Sequence, residues 1–282
     1  MKNITHIFFL LFVLQLPCRA QKPGSLTTPI TIGHQAVLQS KILGEARLLN
    51  IYLPEGYNAK DSLRYPVIYL LDGSMDEDFI HICGIVQYAG FEWVNYLPKS
   101  IVVGIATVNR RRDYTFTTTV AEQKKAYPEA GHSDRFIAFI VQELQPYIAT
   151  SYKTSGSKTI VGQSLGGLLE TEILFRKPEL FNRYIIISPS LWWDNGSLLG
   201  MQPAILSAGF NQPVEVYIGV GKEGLTPTTI PRVMEVDANV LADKIKSGKS
   251  TSVKIIFDYL PGEDHATIMH QAVLNAFKLL KH

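Results

Sequence analysis

Apolar runs alternate along this chain with segments of helical period, and the alternation predicts most of its elements. Ala36 to Ile42 and Ala46 to Leu53, joined through Gly44-Glu45, read as an antiparallel hairpin that ends in the turn Leu53-Pro54-Glu55-Gly56-Tyr57. Tyr65 to Leu71 is continuously apolar, as expected of a central strand buried on both faces, and stops at Asp72-Gly73-Ser74. Ser100 to Ile105 is the next such run, with a helix expected between the two. Residues 107–132 are a polar insertion. Ser133 then reads as the N-cap of a helix to about Ile148, on which Phe136, Ile140, Leu144 and Ile148 recur every four residues as one apolar stripe. A β-branched run, Lys158 to Val161, is followed by a helical segment from Leu165 to Lys177, closed by Pro178. Further strands are expected at Tyr184–Ile187, Val214–Ile218 and Val253–Phe257. Helices are expected near 197–207 and 233–247, and from about Ala266 to the end.

Strands alternating with helices after an N-terminal hairpin predict an α/β fold: a mostly parallel sheet with helices on both faces. No repeat, low-complexity tract or linker divides it, so residues 35–282 are read as one domain, preceded by a Pro-, Gly- and Thr-rich leader over 21–34. The first twenty residues stand apart. Lys2, the apolar run Ile7 to Leu14 and the small-x-small ending Cys18-Arg19-Ala20 make a secretory signal, cut after Ala20. The run is too short for a membrane anchor, and Pro17 before Cys18 is unlike a lipid-attachment motif. The reading is a periplasmic or secreted protein with no stable membrane insertion once the signal is removed.

Composition narrows the class. The chain has 46% hydrophobic and 18% charged residues, with 27 basic side chains against 25 acidic. Removing the signal takes away Lys2 and Arg19 and no acid, so the mature chain is formally neutral, which gives no reason to expect a nucleic-acid partner. One cysteine, Cys83, remains after the cut, so stability must come from a large core rather than a disulfide framework.

The chemistry centres on Gly162-Gln163-Ser164-Leu165-Gly166, a Gly-x-Ser-x-Gly set between a strand and a helix. That turn pushes a serine out of the sheet with its Oγ exposed, and places the Leu165 N–H at a helix N-terminus, facing a developing oxyanion. Gly162 and Gly166 are expected to remove Cβ atoms that would collide across the turn. A serine hydroxyl needs a base. His265 is the best placed, in the loop Pro261-Gly262-Glu263-Asp264-His265 between the last strand and the last helix. The order serine, acid, histidine nominates an acid after the strand Val214–Ile218, which is Glu223; Asp194, Asp237 and Asp264 are its rivals, and a Ser-His dyad remains open. Ser74 is the candidate for a second oxyanion N–H, with Asp72 read as structural. Trp192 and Trp193 begin at a strand's C-terminal end, where ligands bind in such sheets, with one of them expected to line the substrate pocket. The run Arg110 to Arg112, with Arg111 and Arg112 foremost, is the candidate for an anionic substrate group, with internal pairing to Asp113 as the alternative.

These blocks together resemble a known family. Ile51 to Tyr57, Val67 to Gly73, Arg111 to Tyr114, Val161 to Gly167, Ser188 to Trp193 and Gly262 to His265 are similar to the esterase family of α/β-hydrolases that includes esterase D and the trilactone esterases of catecholate siderophores. The resemblance implies an α/β-hydrolase fold and a serine esterase using neither metal nor organic cofactor. It leaves the substrate open among siderophore, feruloyl, acetyl and thiol esters. Gln163 stands where many relatives carry histidine. The expectation is an exported serine ester hydrolase whose small-molecule or oligosaccharide substrate is a siderophore ester or a carbohydrate-linked acetyl or feruloyl ester. Its alternatives are an acyltransferase and a retired hydrolase that serves as a binding protein.

Overall fold

The computed structural model describes residues 28–281; the signal reading over 1–20 and the first part of the 21–34 leader lie outside them. Residues 28–31 are irregular and exposed, and the compact unit starts at Ile32. Its eight strands are β1 (His34–Ser40), β2 (Glu45–Tyr52), β3 (Tyr65–Leu70), β4 (Ile101–Ile105), β5 (Thr154–Gln163), β6 (Arg183–Ile187), β7 (Val214–Gly221) and β8 (Val253–Leu260). They form one sheet in the order β1-β2-β4-β3-β5-β6-β7-β8. β2 runs antiparallel to β1 and to β4, and every pairing from β4 to β8 is parallel. This is the arrangement expected from the hairpin and the alternating pattern.

The strands are apolar where both faces are covered. All five residues of β4 and of β6 are buried, and separate core clusters lie on the two faces of the sheet. The helices are α1 (Phe79–Ala89), α2 (Arg110–Tyr114), α3 (Ala121–Ala126), α4 (Ser133–Phe139), α5 (Gln145–Ser151), α6 (Leu165–Arg176), α7 (Ser197–Gly200), α8 (Met234–Lys246) and α9 (Ile268–Leu279). α2 and α3 lie inside the polar insertion. Among the described residues no helix is long and apolar enough to cross a membrane.

Three local expectations differ. The stripe Phe136, Ile140, Leu144 and Ile148 is fully buried, but its helix widens to a π-helical turn over Ile140–Leu144 between α4 and α5. Ser133 is the first residue of α4 rather than its cap, and its hydroxyl donates to Glu172 Oε2 at 2.6 Å. The helix expected over 197–207 is only the short α7 and a 3₁₀ turn at Ala204–Leu206. Asp194, Asn195 and Gly196 have left-handed φ values of 50°, 53° and 76° ahead of it, and Pro203 interrupts helical hydrogen bonding behind it.

Candidate active site

Ser164 occupies the sharp turn between β5 and α6, with φ 62° and ψ −117°. A residue with a Cβ is rarely found there, and such strain persists only where the surroundings over-determine it. The pinning contacts are visible. Ser164 N–H donates to Ile187 O at 3.0 Å, and its carbonyl accepts from Ser190 N–H at 2.9 Å. A Cβ on Gly162 would lie 2.8 Å from Glu170 Oε1 and 2.9 Å from Leu71 Cδ1, so these two buried side chains would have to shift to admit one. Gly166 is different from the expectation: a Cβ would meet Leu71 at an ordinary 3.5 Å, and the tight second glycine is Gly167, 3.0 Å from Ile187 O and 3.1 Å from Pro189 Cα.

The turn is also fastened from the insertion. Arg110 donates through Nε to both carboxylate oxygens of Asp72, at 2.9 and 3.0 Å, and through Nη2 to Oδ2 at 2.8 Å. The same Nη2 reaches Gln163 O at 2.9 Å. Thr107 Oγ1 completes the Asp72 site at 3.0 Å. Asp72 is therefore structural, as read from its chemistry, and Arg110, expected with its neighbours to meet an anionic substrate or Asp113, is held by Asp72 instead. Nothing in the sequence links positions 38 residues apart, although an arginine run facing a strand-end aspartate was a usable signal.

His265 and Glu223 come together. His265 Nδ1 is 2.6 Å from Glu223 Oε2, and the Glu223 side chain is 2% exposed. Burial alone would raise the Glu223 carboxyl, but hydrogen bonds from His265 and Ser188 outweigh it and hold the group below the usual carboxylate range. The rival acids are committed elsewhere. Asp194 Oδ1 accepts from Thr119 N–H at 2.6 Å and from two threonine hydroxyls. Asp237 pairs with Arg232 at 2.7 Å, and Asp264 caps the amides of Ala266 and Thr267. Gln163 Nε2 donates to His265 O, tying the histidine's main chain to the residue before Ser164. The Ser164 hydroxyl itself rests 3.2 Å from Ser190 Oγ. Ser188, Ser190 and Gln163 were not assigned from sequence, although the Ser-Pro-Ser block at a strand end was the available signal.

Of the two oxyanion candidates, Leu165 adjoins the serine in the chain and Ser74 lies on the loop after β3. Leu165 is the first residue of α6, so its N–H has no intrahelical acceptor. Ser74 follows Asp72 (φ 51°) on the loop after β3, and this loop lies beside α6: Asp72 Oδ2 is 3.7 Å from where a Gly166 Cβ would be. Leu165 also lines a cleft of about 380 Å³ with Asn109, Arg110, Arg111 and Glu129. A second hollow of about 190 Å³ is walled by Tyr127, Trp192, Ile230 and Arg232. Arg111 joins the two, its guanidinium stacked 3.9 Å above the Tyr127 ring.

Two expected substrate contacts are corrected. Trp193 is 1% exposed and its indole N–H donates to Phe116 O at 2.8 Å, so it is a core residue; Trp192 is the half-exposed partner at the hollow. Arg112 is held by Asp113 at 2.7 Å and Glu45 at 2.6 Å, in an ion-pair cluster that also contains the buried Arg47. That is the internal pairing weighed against a substrate role. Arg110 and Arg111 both line the cleft, and Arg110 is engaged by Asp72. Among the described residues no three His, Cys, Asp or Glu side chains are arranged to hold a metal ion.

Behind the turn, Glu170 on α6 is fully buried, and neither of its carboxylate oxygens has a hydrogen-bond partner among the described residues. Burial pushes this carboxyl well above the ordinary range.

Comparison with known proteins bears on the family and the fold. The ferri-bacillibactin esterase BesA of Bacillus subtilis is 27% identical over 92% of this chain and 93% of its own length. An IroE-like serine hydrolase from Shewanella oneidensis superposes with a TM-score of 0.78 at 31% identity, covering 88% of this chain and 80% of that one. The BES protein from Bacillus cereus gives 0.77 at 26% identity, over 93% and 99%. The family model described as "Putative esterase" matches residues 40–256. With a strained serine at a strand-to-helix turn in an α/β-hydrolase sheet and a matching family model over most of its length, the chain belongs to this esterase family.

Proposed function

We propose that the protein is an exported serine ester hydrolase that works through an acyl-enzyme on Ser164, with a siderophore ester as substrate. The observation that carries the mechanism is the Glu223–His265 pair, 2.6 Å apart, on loops held against the strained Ser164 turn. In this reading Ser164 Oγ leaves Ser190, gives its proton to His265 Nε2 and attacks the ester carbonyl. Glu223 accepts the Nδ1 hydrogen and stabilises the imidazolium. The N–H groups of Leu165 and Ser74 take the oxyanion, His265 returns the proton to the departing alcohol, and water repeats the sequence on the acyl group.

The substrate class rests on chemistry and on relatives. Arg111 is a cation at the cleft beside Leu165, stacked on an aromatic ring and forming no salt bridge among the described residues. Trp192 and Tyr127 offer flat apolar walls next to it. An anionic aromatic ester fits both features, and relatives of this chain are named as a ferri-bacillibactin esterase and a siderophore triacetylfusarinine C esterase. Export rests on the signal reading of residues 1–20, with the catalytic domain over 35–282.

The test is a panel of purified esters: catecholate and hydroxamate siderophores, feruloylated and acetylated sugars, and a long-chain triglyceride. Siderophore esters are expected to have the highest kcat/KM, with Arg111→Ala lowering it more for anionic than for neutral esters. A sugar ester as best substrate, with equal losses in Arg111→Ala, would overturn the substrate reading. No hydrolysis of any ester would favour a binding protein, and acyl transfer to an added sugar in preference to water would favour an acyltransferase.

A further inference from the structure

One tripeptide touches two members of the proposed triad. Ser188-Pro189-Ser190 leaves the end of β6, the strand between β5, which carries Ser164, and β7, which leads to Glu223. It is pinned on both sides. Ser188 N–H donates to Gly219 O at 2.8 Å on the β7 side, and Ser190 N–H donates to Ser164 O at 2.9 Å on the β5 side. Ser188 is completely buried and has φ 43°, a left-handed conformation that costs a residue with a Cβ and that glycine adopts freely. From this strained position its hydroxyl donates to Glu223 Oε1.

The geometry gives that bond a purpose. Glu223 stands two residues past the end of β7, on a loop, and its carboxylate has two oxygens to dispose of. Oε2 faces His265 Nδ1 at 2.6 Å. Oε1 has the Ser188 hydroxyl and, at 3.3 Å, the Gly221 N–H. Removing the hydroxyl leaves only the long amide contact to stop the carboxylate rotating away from the histidine. The hydrogen bond also stabilises the charged form in a site whose burial favours the neutral one.

We infer that Ser188 is a positioning residue for the acid: it holds the Glu223 side chain with Oε2 turned to His265, and the backbone strain at Ser188 is what aims its hydroxyl there. This rests on Glu223 being the acid of a working Ser164–His265–Glu223 set. Ser188 acts through Glu223 and touches neither substrate nor the reacting oxygen.

The experiment is a double-mutant cycle on the full mature chain, with kcat and KM for an activated aromatic ester and the melting temperature of each variant. The variants are Ser188→Ala, Ser188→Gly, Glu223→Gln and the Ser188→Ala/Glu223→Gln pair. Loss of a hydrogen bond to a charged group predicts a fall in kcat of roughly 10- to 100-fold for Ser188→Ala, with KM within about twofold. The double variant is expected to be no slower than Glu223→Gln alone. Ser188→Gly relieves the left-handed φ, so it should melt at or above the temperature of Ser188→Ala while showing the same kinetic defect. That outcome separates the hydroxyl from the fold. If both Ser188 variants keep kcat within twofold of wild type, or if the Ser188 and Glu223 losses multiply in the pair, the inference is wrong. A slow Glu223→Gln beside a fast Ser188→Ala sinks the inference alone, whereas a wild type that hydrolyses no ester sinks the triad reading and this one with it.

Discussion

Arg110 is the side chain whose removal should cost the turn most, because it fastens the residue before Ser164 to the end of β3. Its guanidinium makes three contacts of 2.8–3.0 Å to Asp72 and one of 2.9 Å to Gln163 O. Arg110→Ala deletes all four and leaves a largely buried carboxylate with only the Thr107 hydroxyl. Breaking a fully buried ion pair costs about 3–5 kcal/mol; the Arg110 side chain is 33% exposed, so solvent screening lowers the expectation to about 2–3 kcal/mol. For a chain of this size that is a fall in melting temperature of roughly 4–12 °C. The check is urea denaturation of wild type, Arg110→Ala, Asp72→Asn and the double variant. Asp72→Asn removes the stranded charge, so the double variant should be more stable than Arg110→Ala alone. The reasoning is refuted if Arg110→Ala costs less than about 0.5 kcal/mol, the range of ordinary surface changes, or if the double variant loses the sum of the two.

Three further outcomes follow from the site. Burial raises the native Glu170 carboxyl above its unfolded value, so its contribution is fully present below the unfolded value and is lost as pH rises through the native one. Glu170→Met should therefore stabilise the protein, by about 1–3 kcal/mol at pH 8 and by less at pH 5; an equal gain at both pH values would contradict a protonated Glu170. Gln163→Ala frees the main chain of His265 and should lower kcat about three- to tenfold with KM unchanged, where an unaltered kcat would show that the loop needs no such tie. Trp192→Ala should raise KM and leave stability near wild type, while Trp193→Ala should cost about 3–5 kcal/mol of stability. The reverse pattern would mean that the two tryptophans have been assigned to the wrong sides.

What could be read from the sequence follows from range. The apolar runs of β3, β4 and β6 and the Gly-x-Ser-x-Gly turn are local signals, and each is where the pattern places it. Glu223 and His265 were reachable because the order of strands fixes which loops meet at one end of a parallel sheet. Trp192 and Trp193 were not separable, because adjacent residues point to different sides of the chain and only packing decides which is buried. Arg110 and Arg112 have the same chemistry in sequence; the folded chain gives one to Asp72 and the other to Glu45 and Asp113. Ser188 was invisible for a further reason. Its φ of 43° reflects constraints from two neighbouring strands, and no local propensity of a Ser-Pro pair announces it.

The central claim is that Ser164 is an activated nucleophile, and the most direct measurement is covalent trapping. The mature protein is incubated with a fluorophosphonate, the bound probe is located by peptide mass spectrometry, and residual ester hydrolysis is followed in the same samples. The account predicts one probe per chain, on Ser164, with activity lost in proportion to labelling and no labelling in Ser164→Ala or after denaturation. Undiminished ester hydrolysis in Ser164→Ala, or a wild type that hydrolyses esters while Ser164 stays unlabelled, would contradict it.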